Sequence, residues 1–297
     1  MSDDAQWTTR GPLRHPRPGP AQLAVRLARE AALMIRTAGR PRRVHRLKSS
    51  AFDVLTATDL AVERRIRRRL SAAHPDWAII GEEGGGLEDL DLARPTWFVD
   101  PVDGTTNYLH GLPLVACNIA LWNHHDLACS ATADVYRFRT YRAERGRGAW
   151  LGRRRLSVSD TRQLTTAVLS TGFPPYRAED EDNNLAEFSD LVRRVRDIRR
   201  IGAAGLDMAW VAAGMLDGYW EQGDGPWDWA AGALLVREAG GRVTTYDGKD
   251  WRPGDPTLVA SNGKLHDVLM ERIQQARTSL PSVRSRFSMP LPPDGVG

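Results

Sequence analysis

The run Trp97-Phe98-Val99-Asp100-Pro101-Val102-Asp103-Gly104-Thr105-Thr106-Asn107-Tyr108 constrains this chain more than any other. Its apolar opening reads as a buried strand, and it runs directly into two carboxylates and a Gly-Thr turn. Two aspartates three apart at a strand end can converge on one cation. Pro101 fixes the turn, Gly104 lets backbone approach a ligand, and the N–H groups that follow could receive a phosphate oxygen if a helix begins there. The same residues would serve equally as an Asp-rich turn that caps that helix.

Two further segments share this setting. In Ile79-Ile80-Gly81-Glu82-Glu83-Gly84-Gly85-Gly86, a short apolar strand ends in glutamates flanked by glycines, which are costly to order unless something holds them. A hard divalent cation would do so, and a solvent-exposed acidic loop is the plainer alternative. In Pro226-Trp227-Asp228-Trp229, Asp228 stands at the start of an apolar helix, where a carboxylate also serves as a simple cap. What favours a site is the joint occurrence: Glu82, Asp100, Asp103 and Asp228 all fall at strand ends or helix starts, where α/β proteins place their ligands.

Around these segments the periodicity predicts two helices, at about 21–38 and 59–73. A largely antiparallel sheet follows, with strands at 77–80, 96–99, 114–122, 127–136, 138–143 and 149–151. After Arg153-Arg154-Arg155 strands alternate with helices: strands at 167–170, near Tyr219, at 242–246 and 258–260, and helices near 184–196 and at 205–213, 228–238 and 264–276. The expected organisation is a flexible arm over 1–20, an α+β subdomain over 21–155 carrying the acidic motif, an α/β subdomain over 156–277 and a disordered tail over 278–297. The arm lacks the apolar core of a secretory signal, and the longest apolar stretch, Leu112 to Trp122, is broken by Pro113 and Asn118. It is too short to span a bilayer, which takes about 18 residues. A cytoplasmic protein without membrane contact is expected. Cys117 and Cys129 lie within apolar runs and read as buried free thiols.

The net charge is +4, and three of the 41 basic residues are lysines: Lys48, Lys249 and Lys264. The cluster Arg64, Arg65, Arg67, Arg68 and Arg69 could contact a phosphate backbone, but it shares a helix with Leu60, Val62, Ile66 and Leu70. A solvated helix face is therefore the reading, and nucleic acid is not the expected partner.

Together the motifs resemble the inositol monophosphatase family, magnesium-dependent and lithium-sensitive phosphomonoesterases, over about residues 21–276. Asp-Pro-Val-Asp-Gly-Thr-Thr-Asn-Tyr from Asp100 matches one family signature, and Trp227-Asp228 through Glu238-Ala239-Gly240-Gly241 the other. Leu47-Lys48-Ser49-Ser50, Thr56-Ala57-Thr58-Asp59, Gly81-Glu82-Glu83, Ala143-Glu144-Arg145-Gly146 and Thr171-Gly172-Phe173-Pro174 add support. The resemblance implies an αβαβα layered sandwich of mixed α/β class and a homodimer. It implies two or three Mg²⁺ ions held by Glu82, Asp100, Asp103, Asp228 and the Val102 carbonyl. Thr105 and Asp59 would bond each other and the attacking water, with Glu82 and Lys48 completing the catalytic set. Gly104, Thr105, Gly202, Ala203, Ala204, Glu221 and Asp228 would face the substrate. That chemistry needs no catalytic Cys or His, and His110 reads as a surface residue.

Inositol-1-phosphate is the implied substrate, since Thr106-Asn107-Tyr108 fits the inositol type better than the histidinol-phosphate, fructose-1,6-bisphosphate or 3′-phosphoadenosine 5′-phosphate types. A protein acting mainly by binding, with RNA or the transcription apparatus, is the alternative of another class. Three segments depart from the family pattern. Ala131 to Arg139 replaces a glycine-led hairpin, the usual Gly-Ser/Thr-Ala-Ala reads Gly202-Ala203-Ala204-Gly205, and Gly223-Asp224-Gly225-Pro226 adds an acid near the pocket mouth.

Overall fold

Apolar residues four apart, Leu23, Leu27, Ala31 and Ile35, make the buried stripe of the first helix, α1 (Pro20–Ala38). The helix starts one residue earlier than the periodicity suggests, because proline suits a first helical position, where its missing N–H has no helical partner to lose. The computed structural model describes residues 18–41, 46–47, 54–174, 177–178, 182–223 and 225–278. Most of the expected arm and tail, together with Lys48 and Asp224, lie outside the described residues.

A two-strand ladder, β1 (Arg46–Leu47) with β2 (Val54–Leu55), leads into α2 (Ala57–Ala73). Next come β3 (Ala78–Gly81), β4 (Thr96–Asp103), the short α3 (Thr105–His110), β5 (Ala116–Asn123), β6 (Asp126–Asp134), β7 (Arg139–Glu144), β8 (Gly148–Leu151) and β9 (Arg154–Arg155). These seven strands pair in chain order into one sheet, β3 and β4 parallel and the others antiparallel. The second half supplies β10 (Val168–Thr171), α4 (Leu185–Leu191), β11 (Asp197–Arg199), α5 (Ala204–Ala212), β12 (Gly218–Gln222), α6 (Pro226–Glu238), β13 (Arg242–Thr244), β14 (Thr257–Ser261) and α7 (His266–Thr278). Its five strands run β11-β10-β12-β14-β13, the first three parallel and β14 antiparallel to both neighbours.

Burial sets the layers. Val62 and Ile66 of α2 join Leu27 and Ile35 of α1 against Trp97, Val99 and Ile119 on one face of the large sheet. On its other face, Met208 of α5 and Leu235 of α6 pack between Phe98 and Tyr141 of that sheet and Tyr219 and Leu258 of the second. Because α6 lies between two sheets it is buried on nearly all sides, which is why its sequence is apolar all round. Leu191 of α4 and Leu269 and Ile273 of α7 cover the outer face of the second sheet over Leu169, Trp220 and Val259. The order of layers is the expected αβαβα sandwich.

Some elements differ from their sequence reading. The helix near Asn184 stops at Leu191, and the next residues turn into β11, whose three residues are too few to show alternation. Phe138, read as the start of a strand, occupies a left-handed turn at φ 55° and is 76% exposed. Thr278, read as the first residue of the tail, still belongs to α7. Cys117 and Cys129 are free and buried, as expected. No described helix is long and apolar enough to cross a membrane.

His266, at the start of α7, is buried with Nε2 2.9 Å from Thr244 Oγ1 and Nδ1 2.9 Å from Ser261 Oγ. Burial first and the Arg242 charge second push its imidazole down to about 4 from an ordinary 6.5. As pH falls between these values the unfolded chain binds a proton that the folded chain refuses. Stability should therefore drop there by about 1.4 kcal/mol per pH unit at most from this residue. Urea denaturation at pH 7, 6 and 5 is expected to show a shallower decline in His266→Gln than in the wild type. Equal slopes would mean that His266 does not carry the effect.

Candidate active site

In a regular strand, residues three apart point to opposite faces. Asp100 and Asp103 nonetheless share one side, because β4 shifts register between them: Asp100 lies opposite Asn118 and Asp103 opposite Ala116. Three steps on β4 thus match two on β5, a bulge placed at Pro101, which has no N–H to give to a ladder. Gly104 follows at φ +87°, and a Cβ there would meet the Leu114 carbonyl at 2.8 Å and that of Gly202 at 3.0 Å. Only glycine lets the chain turn into α3 so close to its neighbours.

The two carboxylates are held from several directions. Asp100 Oδ1 accepts the Val102 N–H at 3.0 Å, and Asp103 Oδ2 accepts the Gly205 N–H at 2.8 Å. The Asn118 amide donates to Asp100 Oδ2 at 3.4 Å and to Asp103 Oδ2 at 3.1 Å. Burial, then Glu82, Asp103 and Asp228, raise the Asp100 carboxyl well above its usual range. Burial also pushes Asp103 up to about 6, against the Asn118 and Gly205 hydrogen bonds that favour its charged form. Asp228 sits in the first turn of α6, where one oxygen accepts the Gly225 N–H at 2.9 Å. Capping and site are thus both readings of the same residue.

Glu82 follows β3 in a loop whose order comes from α2. Glu63, buried on that helix, accepts the N–H groups of Glu83 and Gly84, each at 2.8 Å. Arg67 binds Glu63 at 2.6 Å and the carbonyls of Ile79 and Gly85 at 3.0 and 3.1 Å. The arginine cluster is therefore not simply a solvated face: Arg67 is turned inward as a clamp on the Glu82 loop. Arg65 and Arg69 keep to the surface, each 3.5 Å from Glu30.

Asp59, fully buried on α2, divides its two oxygens. Oδ2 takes the Thr56 N–H and hydroxyl in a capping box, and Oδ1 accepts the Thr105 hydroxyl at 3.1 Å. Thr105 Oγ1 also lies 2.9 Å from the Val102 carbonyl. Two residues 46 apart in sequence thus meet at the end of β4.

Glu82, Asp100, Val102, Asp103, Thr105 and Asp228 line one cavity of about 170 Å³, and Gly104, Gly202, Ala203, Ala204 and Glu221 line it as well. Asp59 lies behind Thr105. Glu221 is buried on β12 and bonded by the Tyr219 hydroxyl, and a Cβ on Gly172 would strike its carboxylate. Phe173, Arg200 and Asp207 also reach the cavity without having been singled out as site residues from the sequence. Asp207 is buried within α5, and one of its oxygens has no hydrogen-bond partner among the described residues. Burial holds that carboxyl well above its usual range. His110 is exposed and does not line the cavity.

Among the described residues no three of these side chains close into a ready-made metal cage. The donor set is nevertheless all hard oxygen, and its like charges are crowded in a buried setting that a cation would relieve. An open wall of carboxylates fits Mg²⁺, which binds through few protein oxygens and keeps several waters.

A family model described as the inositol monophosphatase family matches residues 21–278. A protein of Pseudomonas aeruginosa named Nus factor SuhB is 42% identical over 256 residues, covering 85% of this chain and 94% of the relative. An inositol-1-monophosphatase of Caulobacter vibrioides is 38% identical over 232 residues, covering 77% of this chain and 90% of its own length. Among solved structures, the inositol monophosphatase of Anabaena superposes with a TM-score of 0.76 at 35% identity, covering 86% of this chain and 95% of that one.

Proposed function

This chain belongs to the inositol monophosphatase family of phosphoric monoester hydrolases, and from that membership we propose that it hydrolyses inositol-1-phosphate to inositol and phosphate in a Mg²⁺-dependent reaction. The observation that carries the reading is the meeting of the Thr105–Asp59 pair with Glu82, Asp100, Asp103 and Asp228 on one small cavity. Those four carboxylates and the Val102 carbonyl would hold two or three Mg²⁺ ions. When bound, the ions lower the pKa of water and offset phosphate charge, which makes in-line attack possible without a covalent intermediate.

The chain's own residues supply direction. Thr105 donates its proton toward Asp59 and so presents an oxygen lone pair to the cavity. A water donating to that lone pair has its own lone pair aimed away from Thr105, towards the phosphorus. Asp59 remains a pure acceptor, held by the Thr56 capping box, and cannot rotate away. The alcohol would lie against Gly202, Ala203 and Ala204 with Glu221 beside it, a wall from which Ala203 removes the hydroxyl usual at that place. A catalytic role for Lys48, a homodimeric assembly and a cytoplasmic location belong to the same reading.

Phosphate release from inositol-1-phosphate, histidinol phosphate, fructose-1,6-bisphosphate and 3′-phosphoadenosine 5′-phosphate tests it. The highest kcat/KM is expected for inositol-1-phosphate, with loss of turnover in EDTA and inhibition by Li⁺, whose single charge would support phosphate and leaving alkoxide poorly. A higher kcat/KM with another ester would move the substrate assignment, and no release from any would remove the phosphatase reading. The relative named Nus factor SuhB and the arginine-rich composition support a second reading, a binding role in transcription. Silent chemistry in a folded chain would favour it.

A further inference from the structure

Asn118 sits fully buried on β5, opposite Asp100. Ionised carboxylates only accept hydrogen bonds, and its amide nitrogen Nδ2 faces Asp100 Oδ2 and Asp103 Oδ2. Its Oδ1 is thereby turned away and finds no partner among the described residues. Leaving a buried oxygen unsatisfied is costly, and a core asparagine with only a packing role would be better replaced by an apolar side chain. The amide is placed for what its nitrogen holds.

Gly205 explains how it fits. This glycine lies in the first turn of α5 without a positive φ, so its conformational freedom is unused. A Cβ at this position would lie 2.2 Å from Asn118 Oδ1, 2.5 Å from Nδ2 and 2.6 Å from Cγ. The bare backbone also lets the Gly205 N–H reach Asp103 Oδ2. Gly205 is the residue at which the run Gly202-Ala203-Ala204-Gly205 departs from the usual closing alanine, and the space it opens is filled by Asn118.

We propose that Asn118 and Gly205 are a matched pair of positioning residues, the missing side chain of one admitting the amide of the other so that Asp100 and Asp103 are held at a fixed spacing for cation binding. The proposal rests on the reading of those carboxylates as cation ligands. A neutral amide suits the task, because a lysine or arginine there would neutralise the carboxylates and compete with the metal, while a serine hydroxyl has one proton and can serve only one of them.

Mn²⁺ binding to the full-length, metal-stripped chain, followed by electron paramagnetic resonance of the free ion, reads this without turnover. Gly205→Ala is expected to weaken binding about tenfold or more, the range seen when groups that orient metal ligands are removed. In Gly205→Ala/Asn118→Ser the shorter side chain makes room for the methyl group, and binding should recover at least about threefold relative to Gly205→Ala. Wild-type affinity in Gly205→Ala, or a double variant no tighter than that single one, would overturn the pairing. A wild-type chain that binds no Mn²⁺ would overturn the metal reading instead. Should Gly205→Ala fail to fold, Asn118→Leu keeps the branched heavy-atom shape and removes both donors. Tenfold weaker binding in that variant supports the positioning role, and unchanged binding overturns it.

Discussion

Asp103→Asn should lower kcat by about 10²-fold or more while the fold survives, and should raise the melting temperature of the metal-free protein. The amide oxygen can still accept from the Gly205 N–H and from Asn118, which now lie 2.8 and 3.1 Å from Oδ2, so local geometry is kept. What is lost is one of the negative charges proposed to hold the cations. The same loss removes a buried charge crowded by Glu82 and Asp100, which is why the metal-free form gains stability. Phosphate release at saturating Mg²⁺ and a thermal melt in EDTA measure the two effects. Near-normal turnover in the folded variant would sink the assignment of Asp103.

Much of the site was legible because its residues lie in short runs with unusual local chemistry. Asp100 and Asp103 close an apolar strand, Glu82 stands among glycines, and Asp228 opens a helix apolar on all sides. The register shift that turns both aspartates to one face was not legible, since a bulge at Pro101 is a property of the pairing with β5 and not of β4 alone. Asn118 passed as an interruption of an apolar run, and its role appears only once β4 and β5 are side by side. Asp207 was hidden differently, as one polar residue in a helix whose neighbours pack the core.

The arginines show the same limit from another side. Five arginines within six positions of α2 look alike as sequence, and a solvated face is the sensible average reading for such a run. Arg67 is singled out by what lies across from it, the carbonyls of Ile79 and Gly85 and the carboxylate of Glu63 one turn earlier. The one-sided burial of α1 and the all-round burial of α6, by contrast, follow from their own local sequences, while the order of the layers is what the family resemblance implies. Short elements such as β11 carry no such signature and are set by their neighbour β10.

Thr105→Ala should lower kcat by about 10²-fold or more while shifting Mn²⁺ affinity by less than about threefold, and Asp59→Asn should do the same. In the first variant the hydroxyl between Asp59 and the cavity disappears. In the second, the amide oxygen can keep the Thr56 cap, which leaves an NH₂ group facing Thr105. The donor–acceptor order at the 3.1 Å contact is then reversed, and Thr105 can no longer give its proton to residue 59. Both changes break one hydrogen-bond chain at adjacent links. The double variant Asp59→Asn/Thr105→Ala should therefore be within about threefold of the slower single variant, because groups that act as a unit cannot be lost twice. Single-turnover phosphate release for the four proteins completes the cycle, and losses that multiply would show that Thr105 and Asp59 act on the water independently.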